Sequence, residues 1–243
     1  MDTRILAHRG ASAYAPENTI PAFEMAFEYG ADGIELDVHL SKDGEVVIIH
    51  DERLDRTTNA HGFVRDFTLE ELRGFDACNG MEGFGGVTIP TLRELYEFIK
   101  DTDKTVNVEI KTDIIDYPGI GKKLFELEDE YNMKGRVLYS SFNHYTLFDL
   151  LAQRPDTHIG FLYICAMLKP WTYARSMGAK ALHPHYITIS KTPNMVAECN
   201  LMEIATNVWT VDDSAWMERL SGLGVTGIIT NKPDLASTVL SRR

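Results

Sequence analysis

The sequence contains few cysteines, and their arrangement excludes two common ways of stabilising a protein. Its 243 residues include three cysteines, Cys78, Cys165 and Cys199, which lie far apart without motif spacing. An odd and scattered set does not form a disulfide framework, and it does not match the ligand spacing of a zinc site. Reduced thiols of this kind are typical of the cytoplasm, so we expect a cytoplasmic location.

Long hydrophobic runs and clusters of basic residues are absent as well. No apolar stretch of signal-peptide length precedes the first predicted strand, and no run approaches the roughly 20 apolar residues of a membrane span. The formal net charge is -12 and the isoelectric point is about 5.1, with no basic stripe that would neutralise phosphates. We therefore expect no nucleic-acid partner and no stable membrane association.

Segments with strand character alternate with amphipathic segments along almost the whole chain. With 44% hydrophobic residues, a chain of 243 residues is large enough for the core of one α/β barrel. The predicted strands cover residues 4–8, 33–40, 105–111, 136–141, 158–164, 179–183, 203–209 and 226–230. The predicted helices cover residues 19–30, 91–100, 119–132, 144–152, 170–177, 193–199, 214–221 and the residues from 234 onward.

Eight strands, each followed by a helix, predict an α/β fold of the closed (β/α)8 type, a TIM barrel. We expect one domain over residues 1–243. The alternative is an open, doubly wound parallel sheet. It is disfavoured because no Gly-x-Gly-x-x-Gly motif opens the first helix.

Residues 52–88 interrupt the alternation. They include a short helical piece around residues 69–72 and a glycine-rich loop through residues 80–86. A loop of this length without a strand of its own is often a lid or a binding loop. We expect a small cap insertion after the second strand that shapes a substrate pocket. The alternative is a disordered excursion.

Two carboxylates share one face of the second predicted strand. Residues 33–40 alternate in character, so Glu35 and Asp37 point to the same side. A turn signal at 41–44 then leads into a short β-rich run that ends at His50. If the turn is centred near residues 42 and 43, His50 lies opposite Glu35, about 5 Å away between Cβ atoms. The alternative is a hairpin with a solvated acidic face and a satisfied histidine.

The third predicted strand adds a further carboxylate and a lysine. Glu109 and Lys111 share one face of residues 106–111, and burying both is costly without a ligand or metal. The alternative is an ordinary salt bridge at a strand end. Together with Glu35 and Asp37, however, Glu109 completes a set of three oxygen ligands. Such a set suits one divalent cation, Mg²⁺ or Ca²⁺.

The remaining candidates also fall at the carboxyl ends of predicted strands, where the chemistry of a barrel lies. His8 and Arg9 end the first strand and Trp209 ends the seventh, with core packing as the alternative for Trp209. His39 lies near the hairpin turn and is expected to be solvated. Two histidines, an anion clamp and a hard-metal site are the parts needed to cleave a phosphate ester.

Through these motifs the chain resembles the glycerophosphodiester phosphodiesterase family, whose fold is a TIM barrel with a small insertion after the second strand. The resemblance runs from the first strand to the last helix, on His8-Arg9-Gly10, Pro16-Glu17-Asn18-Thr19, Glu35-x-Asp37, His50-Asp51, Thr57-Thr58, Ile89-Pro90-Thr91-Leu92, Glu109-Ile110-Lys111, Val208-Trp209-Thr210-Val211 and Ile229-Thr230-x-x-Pro233-Asp234. It implies that His8 and His50 are the acid/base pair. It also implies that Glu35, Asp37 and Glu109 hold a divalent cation, with Arg9 and Lys111 on the phosphate.

The implied activity is metal-dependent hydrolysis of a small-molecule glycerophosphodiester, such as glycerophosphocholine or glycerophosphoethanolamine, to sn-glycerol 3-phosphate and an alcohol. Two alternatives are a lysophospholipase D-type enzyme, for which the sequence offers no evident apolar patch, and a non-catalytic barrel that binds phosphorylated ligands. The family usually has Asn after Trp-Thr-Val and Asp after Thr at the eighth strand. This chain instead has Asp212 and Asn231, which puts the shape of the polar rim in doubt.

Overall fold

The computed structural model describes residues 2–192 and 194–241. The first residue of the helix predicted over 193–199 therefore lies outside the described residues. The strands are β1 Arg4–His8, β2 Gly33–Leu40, β3 Val46–Ile48, β4 Thr105–Ile110, β5 Val137–Ser141, β6 Ile159–Tyr163, β7 Ala181–Pro184, β8 Ala205–Val208 and β9 Gly227–Thr230. The α-helices are α1 Ile20–Glu28, α2 Leu69–Arg73, α3 Leu92–Ile99, α4 Ile120–Glu130, α5 His144–Gln153, α6 Pro170–Ser176, α7 Tyr186–Ile189, α8 Met195–Leu201, α9 Ser214–Leu223 and α10 Pro233–Leu240.

Eight of these strands form a closed parallel barrel. Around the barrel the order is β1, β2, β4, β5, β6, β7, β8 and β9, and β1 pairs with both β2 and β9, which closes the ring. Helices connect the successive barrel strands on the outside. The predicted TIM barrel is therefore confirmed, and the open doubly wound sheet is wrong.

Helix α3 illustrates why the sequence forms the outer layer. Leu92, Leu95 and Ile99 follow helical spacing and are fully buried. The helix begins at a capping box, in which the Thr91 hydroxyl accepts from the backbone N–H of Glu94 and the Glu94 carboxylate accepts from the backbone N–H of Thr91. The pattern Thr-x-x-Glu thus sets the start of the helix, and the apolar spacing sets the face that it turns to the barrel.

The segment between β3 and α3 packs around a small core of its own. It contains a 3-10 turn at Val64–Asp66 and helix α2, which has a second capping box between Thr68 and Glu71. The rings of Phe67 and Phe75 meet edge to face at 5.3 Å. The buried members of this core are Val47, Ile49, Leu54, Ala60, Val64, Leu72, Ala77 and Ile89.

The hairpin of β2 and β3 has a different register from the one predicted. Val38 pairs with Ile48 and His39 with Val47, one residue away from the register that would bring His50 opposite Glu35. The reason lies in the turn, where the backbone N–H of Ser41 donates to the carbonyl of Glu45 across three residues. The third of these, Gly44, has a φ of 82°, which glycine adopts without strain.

Within the part of the chain that the structure describes, no helix is both long and apolar enough to span a membrane.

Candidate active site

The parallel register of three neighbouring strands brings the predicted carboxylates together. His8 on β1 is level with Glu35 on β2, and Asp37 on β2 is level with Glu109 on β4. The three carboxylates are at most 8% exposed, and one oxygen from each lies within 4.8 Å of the others. The structure thus gathers the predicted ligand set at the carboxyl end of the barrel.

Two positively charged side chains, Arg9 and Lys111, contact these carboxylates. Nε of Arg9 is 3.2 Å from Oδ2 of Asp37, and an Nη atom of Arg9 is 2.9 Å from Glu17. On the other side, Nζ of Lys111 is 2.8 Å from Oε1 of Glu109 and 3.9 Å from Oδ1 of Asp37. Asp37 therefore lies between the two positive side chains.

The glycine of His-Arg-Gly has a steric role. Gly10 has a φ of 82°, and a Cβ there would come within 2.6 Å of the backbone carbonyl carbon of Ala22 on α1. The preceding Arg9 is itself left-handed, with a φ of 56°. This tight turn aims Arg9 back over β2, where its backbone N–H donates to the carbonyl and the carboxylate of Glu35.

Burial and like charge shift the pKa values of the carboxylates apart. Burial, with repulsion from Asp37 and Glu109, raises the pKa of Glu35 well above its usual value. Burial and Asp37 also raise the pKa of Glu109 to about 7. For Asp37 burial is the largest cause and acts in the same direction, but Arg9, His50, Lys111 and the Asn18 hydrogen bond together outweigh it and lower the pKa. Two carboxyls are thus held in a site that disfavours their charge.

His8 is oriented by the residues at which the sequence departs from the family. Oδ1 of Asn231 accepts from Oγ of Ser12 at 2.7 Å and lies 2.7 Å from Nδ1 of His8. The Asn231 amide N–H donates to Asp212 at 2.6 Å. Oδ1 of Asn231 can only accept a hydrogen bond. The proton of neutral His8 is therefore assigned to Nδ1, which donates to it. Burial and the neighbouring Arg9 lower the pKa of His8 to about 4.

His50 has a different environment. Its Nδ1 lies 2.5 Å from Oδ1 of Asp51, and its Nε2 lies 3.4 Å from Nζ of Lys111. Asp51 in turn accepts two hydrogen bonds from Arg56, at 2.7 and 3.0 Å. Burial opposes ionisation of Asp51, but Arg56 and His50 lower its pKa below the ordinary range. One histidine therefore faces an amide, and the other faces a carboxylate.

His39, expected to be solvated, is fully buried behind His50. Its Nε2 lies 3.1 Å from the carbonyl oxygen of His50, and its Nδ1 lies 2.9 Å from the hydroxyl of Tyr117. Since a carbonyl only accepts, Nε2–H donates to His50 and Nδ1 accepts from Tyr117. The expectation was wrong because the alternation that places His39 on the face of Asp37 carries it into the protein.

The pocket at the mouth of the barrel brings the other predicted residues together. Trp209 follows β8, its indole N–H donates to the carbonyl of His183 at 2.7 Å, and its ring meets Phe142 at 5.5 Å. Asp37 does not line the pocket itself, but it contacts Arg9, which does. The pocket is lined by His8, Arg9, Glu35, His50, Asn107, Glu109, Lys111, Phe142, Leu162, Trp209 and Ile229.

An apolar patch lies on α5, the helix that follows Phe142, although the sequence offered no evident one. Tyr145 and Phe148 on α5 are 84% and 55% exposed. They open onto a groove between α5 and α6 that the sequence did not reveal, because its residues come from three separate elements. The groove, which we call the α5–α6 groove, is lined by His144, Tyr145, Phe148, Phe161, Tyr173 and Met177.

Comparison with known proteins identifies the class. The model of the glycerophosphoryl diester phosphodiesterase family matches residues 8–235. The chain belongs to this family, which confirms both the resemblance seen in the sequence and the prediction of an enzyme of the phosphodiester hydrolase class. A glycerophosphodiester phosphodiesterase of Caldanaerobacter subterraneus is 51% identical over 96% of both chains. One from Bacillus altitudinis is 39% identical, again over 96% of both chains.

Solved structures agree with the fold. A glycerophosphodiester phosphodiesterase from Agrobacterium tumefaciens has a TM-score of 0.86 and 28% identity, covering 97% of this chain and 99% of the other. A phosphodiesterase from Oleispira antarctica, solved in complex with its product sn-glycerol-3-phosphate, has a TM-score of 0.84 and 26% identity, covering 99% of this chain and 97% of the other.

Proposed function

We propose that this protein hydrolyses glycerophosphodiesters, such as glycerophosphocholine and glycerophosphoethanolamine, to sn-glycerol 3-phosphate and the free alcohol. The observation that carries the proposal is that two differently oriented histidines, His8 and His50, line one pocket with a cluster of three buried carboxylates, two of which also line it. The complex of the Oleispira antarctica relative with sn-glycerol-3-phosphate supports the same product.

Glu35, Asp37 and Glu109 are the proposed ligands of one divalent cation, Mg²⁺ or Ca²⁺. The donor set fits, because three carboxylate oxygens suit a hard cation and, among the described residues, Oδ1 of Asp37 has no hydrogen-bond partner. When all three carboxylates are ionised, as metal ligands are, they outnumber Arg9 and Lys111, so without a cation the site would carry a net negative charge and repel an anionic substrate. When bound, the cation would neutralise charge that develops on the phosphate oxygens.

Arg9 and Lys111 are the proposed phosphate clamp. Both line the pocket, and both are fixed by carboxylates, Arg9 by Glu17 and Asp37 and Lys111 by Glu109. Preorganised cations stabilise the charge of the transition state without reorganising during the reaction. Trp209 lines the same pocket and would pack against the glycerol or the head group.

The two histidines have distinct proposed roles. His8 carries its proton on Nδ1, so its Nε2 faces the pocket with a free lone pair and would take the proton of the attacking hydroxyl, from water or from the glycerol 2-position. The Asp51 carboxylate accepts from Nδ1 of His50 and fixes the ring in the pocket wall, where His50 would donate a proton to the leaving alcohol oxygen as the P–O bond breaks. In-line displacement requires the two rings to lie on opposite sides of phosphorus.

The test measures release of glycerol 3-phosphate from both substrates by purified protein with EDTA, Mg²⁺ or Ca²⁺. His8→Ala and His50→Ala should each lower a release that requires metal to a small residual rate. His61→Ala is the matched control, because this histidine is 82% exposed in the 52–88 segment and should leave the rate unchanged. Release that persists in EDTA, or that stays near the wild-type rate in either catalytic variant, would contradict the proposal.

A second candidate, cleavage of lysophospholipids, is favoured by the α5–α6 groove. Phe142 lines the catalytic pocket and lies two residues before α5, whose Tyr145 and Phe148 line the groove. Apolar side chains therefore continue from the edge of the catalytic pocket to the α5–α6 groove. The acyl chain of a lysophospholipid bound in the pocket could pack on them.

Hydrolysis of lysophosphatidylcholine and glycerophosphocholine by the wild type and by the Tyr145→Ser/Phe148→Ser variant tests this candidate. Loss of kcat/KM on the lysophospholipid alone would support it. A wild type that cleaves only glycerophosphocholine would exclude it.

We further propose that residues 1–243 form a single domain in which residues 52–88 are a small cap insertion. The shared packing of Val47 on β3 with Leu54 and Val64 of the insertion supports this organisation. A cytoplasmic location stays a prediction, which fractionation of the native host would test.

A further inference from the structure

Arg56, in the insertion, occupies the middle of a chain of ion pairs that joins two residues of the proposed site. At one end, His50 contacts Asp51 at 2.5 Å, and Asp51 contacts Arg56 at 2.7 Å. At the other end, Arg56 contacts Glu17 at 2.8 Å, and Glu17 contacts Arg9 at 2.9 Å. We call these five residues the Arg56 chain.

The guanidinium of Arg56 bonds both carboxylates at the same time. Nε and Nη2 donate to Asp51, while Nη1 and Nη2 donate to Glu17. Only the planar fork of arginine offers two such edges, because a lysine ammonium is a point donor. Burial opposes ionisation of Glu17, yet Arg56 and Arg9 lower its pKa, so both bridged carboxylates are ionised at neutral pH.

The two segments joined in this way are far apart in the chain. Glu17 lies in the loop between β1 and α1, whereas Asp51 and Arg56 both follow β3, and Arg56 is 39 residues from Glu17. Without a cation between them, Glu17 and Asp51 would repel each other. Arg56 therefore determines how the loop bearing Arg9 and the segment bearing His50 lie relative to one another.

Arg56 itself is not among the side chains that line the pocket. Its side chain is 43% exposed, whereas those of Glu17 and Arg9 are 15% and 17% exposed. A surface ion pair of this exposure adds little to global stability. The contact matters instead because it aligns its half-buried partners, Glu17 and Asp51.

We propose that Arg56 is a positioning residue that holds His50 and Arg9 in the geometry needed to protonate the leaving group of a clamped phosphodiester. The inference rests on the proposed function, because it requires His50 to be catalytic. A misplacement of about 1 Å costs on the order of 100-fold in rate. We therefore expect kcat to fall roughly 10- to 100-fold when the bridge is lost, with KM nearly unchanged.

The experiment compares Arg56→Ala and Arg56→Lys with Arg53→Ala on glycerophosphocholine. Arg53 lies in the same insertion and pairs with Asp55, and both side chains of this pair are exposed, so Arg53 is the matched control. Both Arg56 variants should lose kcat while melting within a few degrees of the wild type, and Arg53→Ala should keep full activity. Millimolar guanidinium should restore part of the rate of Arg56→Ala and none of that of His50→Ala.

A double variant separates this inference from the proposed function. If Arg56 acts through His50, adding Arg56→Ala to His50→Ala causes little further loss. An active Arg56→Ala beside an inactive His50→Ala would overturn the inference alone. So would a rise in KM at constant kcat, a fully active Arg56→Lys, or additive losses in the double variant. A His50→Ala variant as active as the wild type would overturn the proposed function, and the inference with it.

Discussion

Replacing Tyr117 with phenylalanine removes the hydroxyl that donates to Nδ1 of the buried His39. His39 is fully buried and Tyr117 is 7% exposed, so no solvent takes the place of the lost donor. Nε2 of His39 continues to donate to the carbonyl of His50. The substitution therefore leaves one buried acceptor without a partner and keeps the ring in its pocket.

The size of the effect follows from that single acceptor. Leaving one buried polar atom unsatisfied costs about 1–3 kcal/mol. For a chain of this length, each 1 kcal/mol lowers the melting temperature by about 2–4 °C, so we expect a decrease of roughly 2–12 °C. The catalytic rate should fall less than in His39→Leu, which also frees the carbonyl of His50.

Thermal unfolding of metal-free protein measures the first effect, and initial rates on glycerophosphocholine measure the second. Tyr145→Phe is the matched control, because this tyrosine is 84% exposed and should melt as the wild type does. Equal melting temperatures for Tyr117→Phe and the wild type would refute the reasoning, since His39 would then not depend on this hydrogen bond.

Two further predictions concern the cation and the first turn. A cation at about 100 times its Kd stabilises the folded state by about 2.7 kcal/mol, so Mg²⁺ or Ca²⁺ should raise the melting temperature by roughly 5–11 °C in the wild type and not in Glu35→Gln. No shift with either cation would contradict the ligand set. Gly10→Ala should destabilise the folded protein far more than Gly135→Ala. Both glycines have a φ near 81°, but only a Cβ at position 10 would come within 2.6 Å of Ala22. A comparison of the two melting temperatures tests this prediction.

The barrel could be predicted because its strands are short, regular and separated by helices of clear periodicity. The predicted strand over 33–40 coincides with β2. Where boundaries differ, local hydrogen bonding is the cause. The strand predicted from residue 179 begins at Ala181, because the backbone N–H of Ala179 still donates to the carbonyl of Ala174 at the end of α6.

Much of the candidate site could be predicted for a similar reason. Side chains at the carboxyl ends of parallel strands meet at one mouth, so Glu35, Asp37 and Glu109 converge whatever the details of the loops. The supporting residues could not be found in this way. Asn231 reaches His8 across 223 residues, and Arg56 reaches Glu17 across 39, so these contacts exist only once the barrel has closed.

The register of the hairpin between β2 and β3 was predicted wrongly because of the length of its turn. A turn with two central residues and one with three differ by a single residue, and only the left-handed Gly44 distinguishes them. That residue changes the partner of every position in β3. Even so, His50 reaches the pocket, because β3 ends at Ile48 and the chain leaves the sheet before His50.

The central claim is that the P–O bond to the alcohol is the bond that breaks. Phosphorus NMR of a glycerophosphocholine reaction tests it most directly, because the two possible cleavages leave different phosphomonoesters. The account predicts metal-dependent formation of glycerol 3-phosphate with free choline, and no signal in His8→Ala. Accumulation of phosphocholine, or of no monoester with folded and metal-supplied protein, would contradict it.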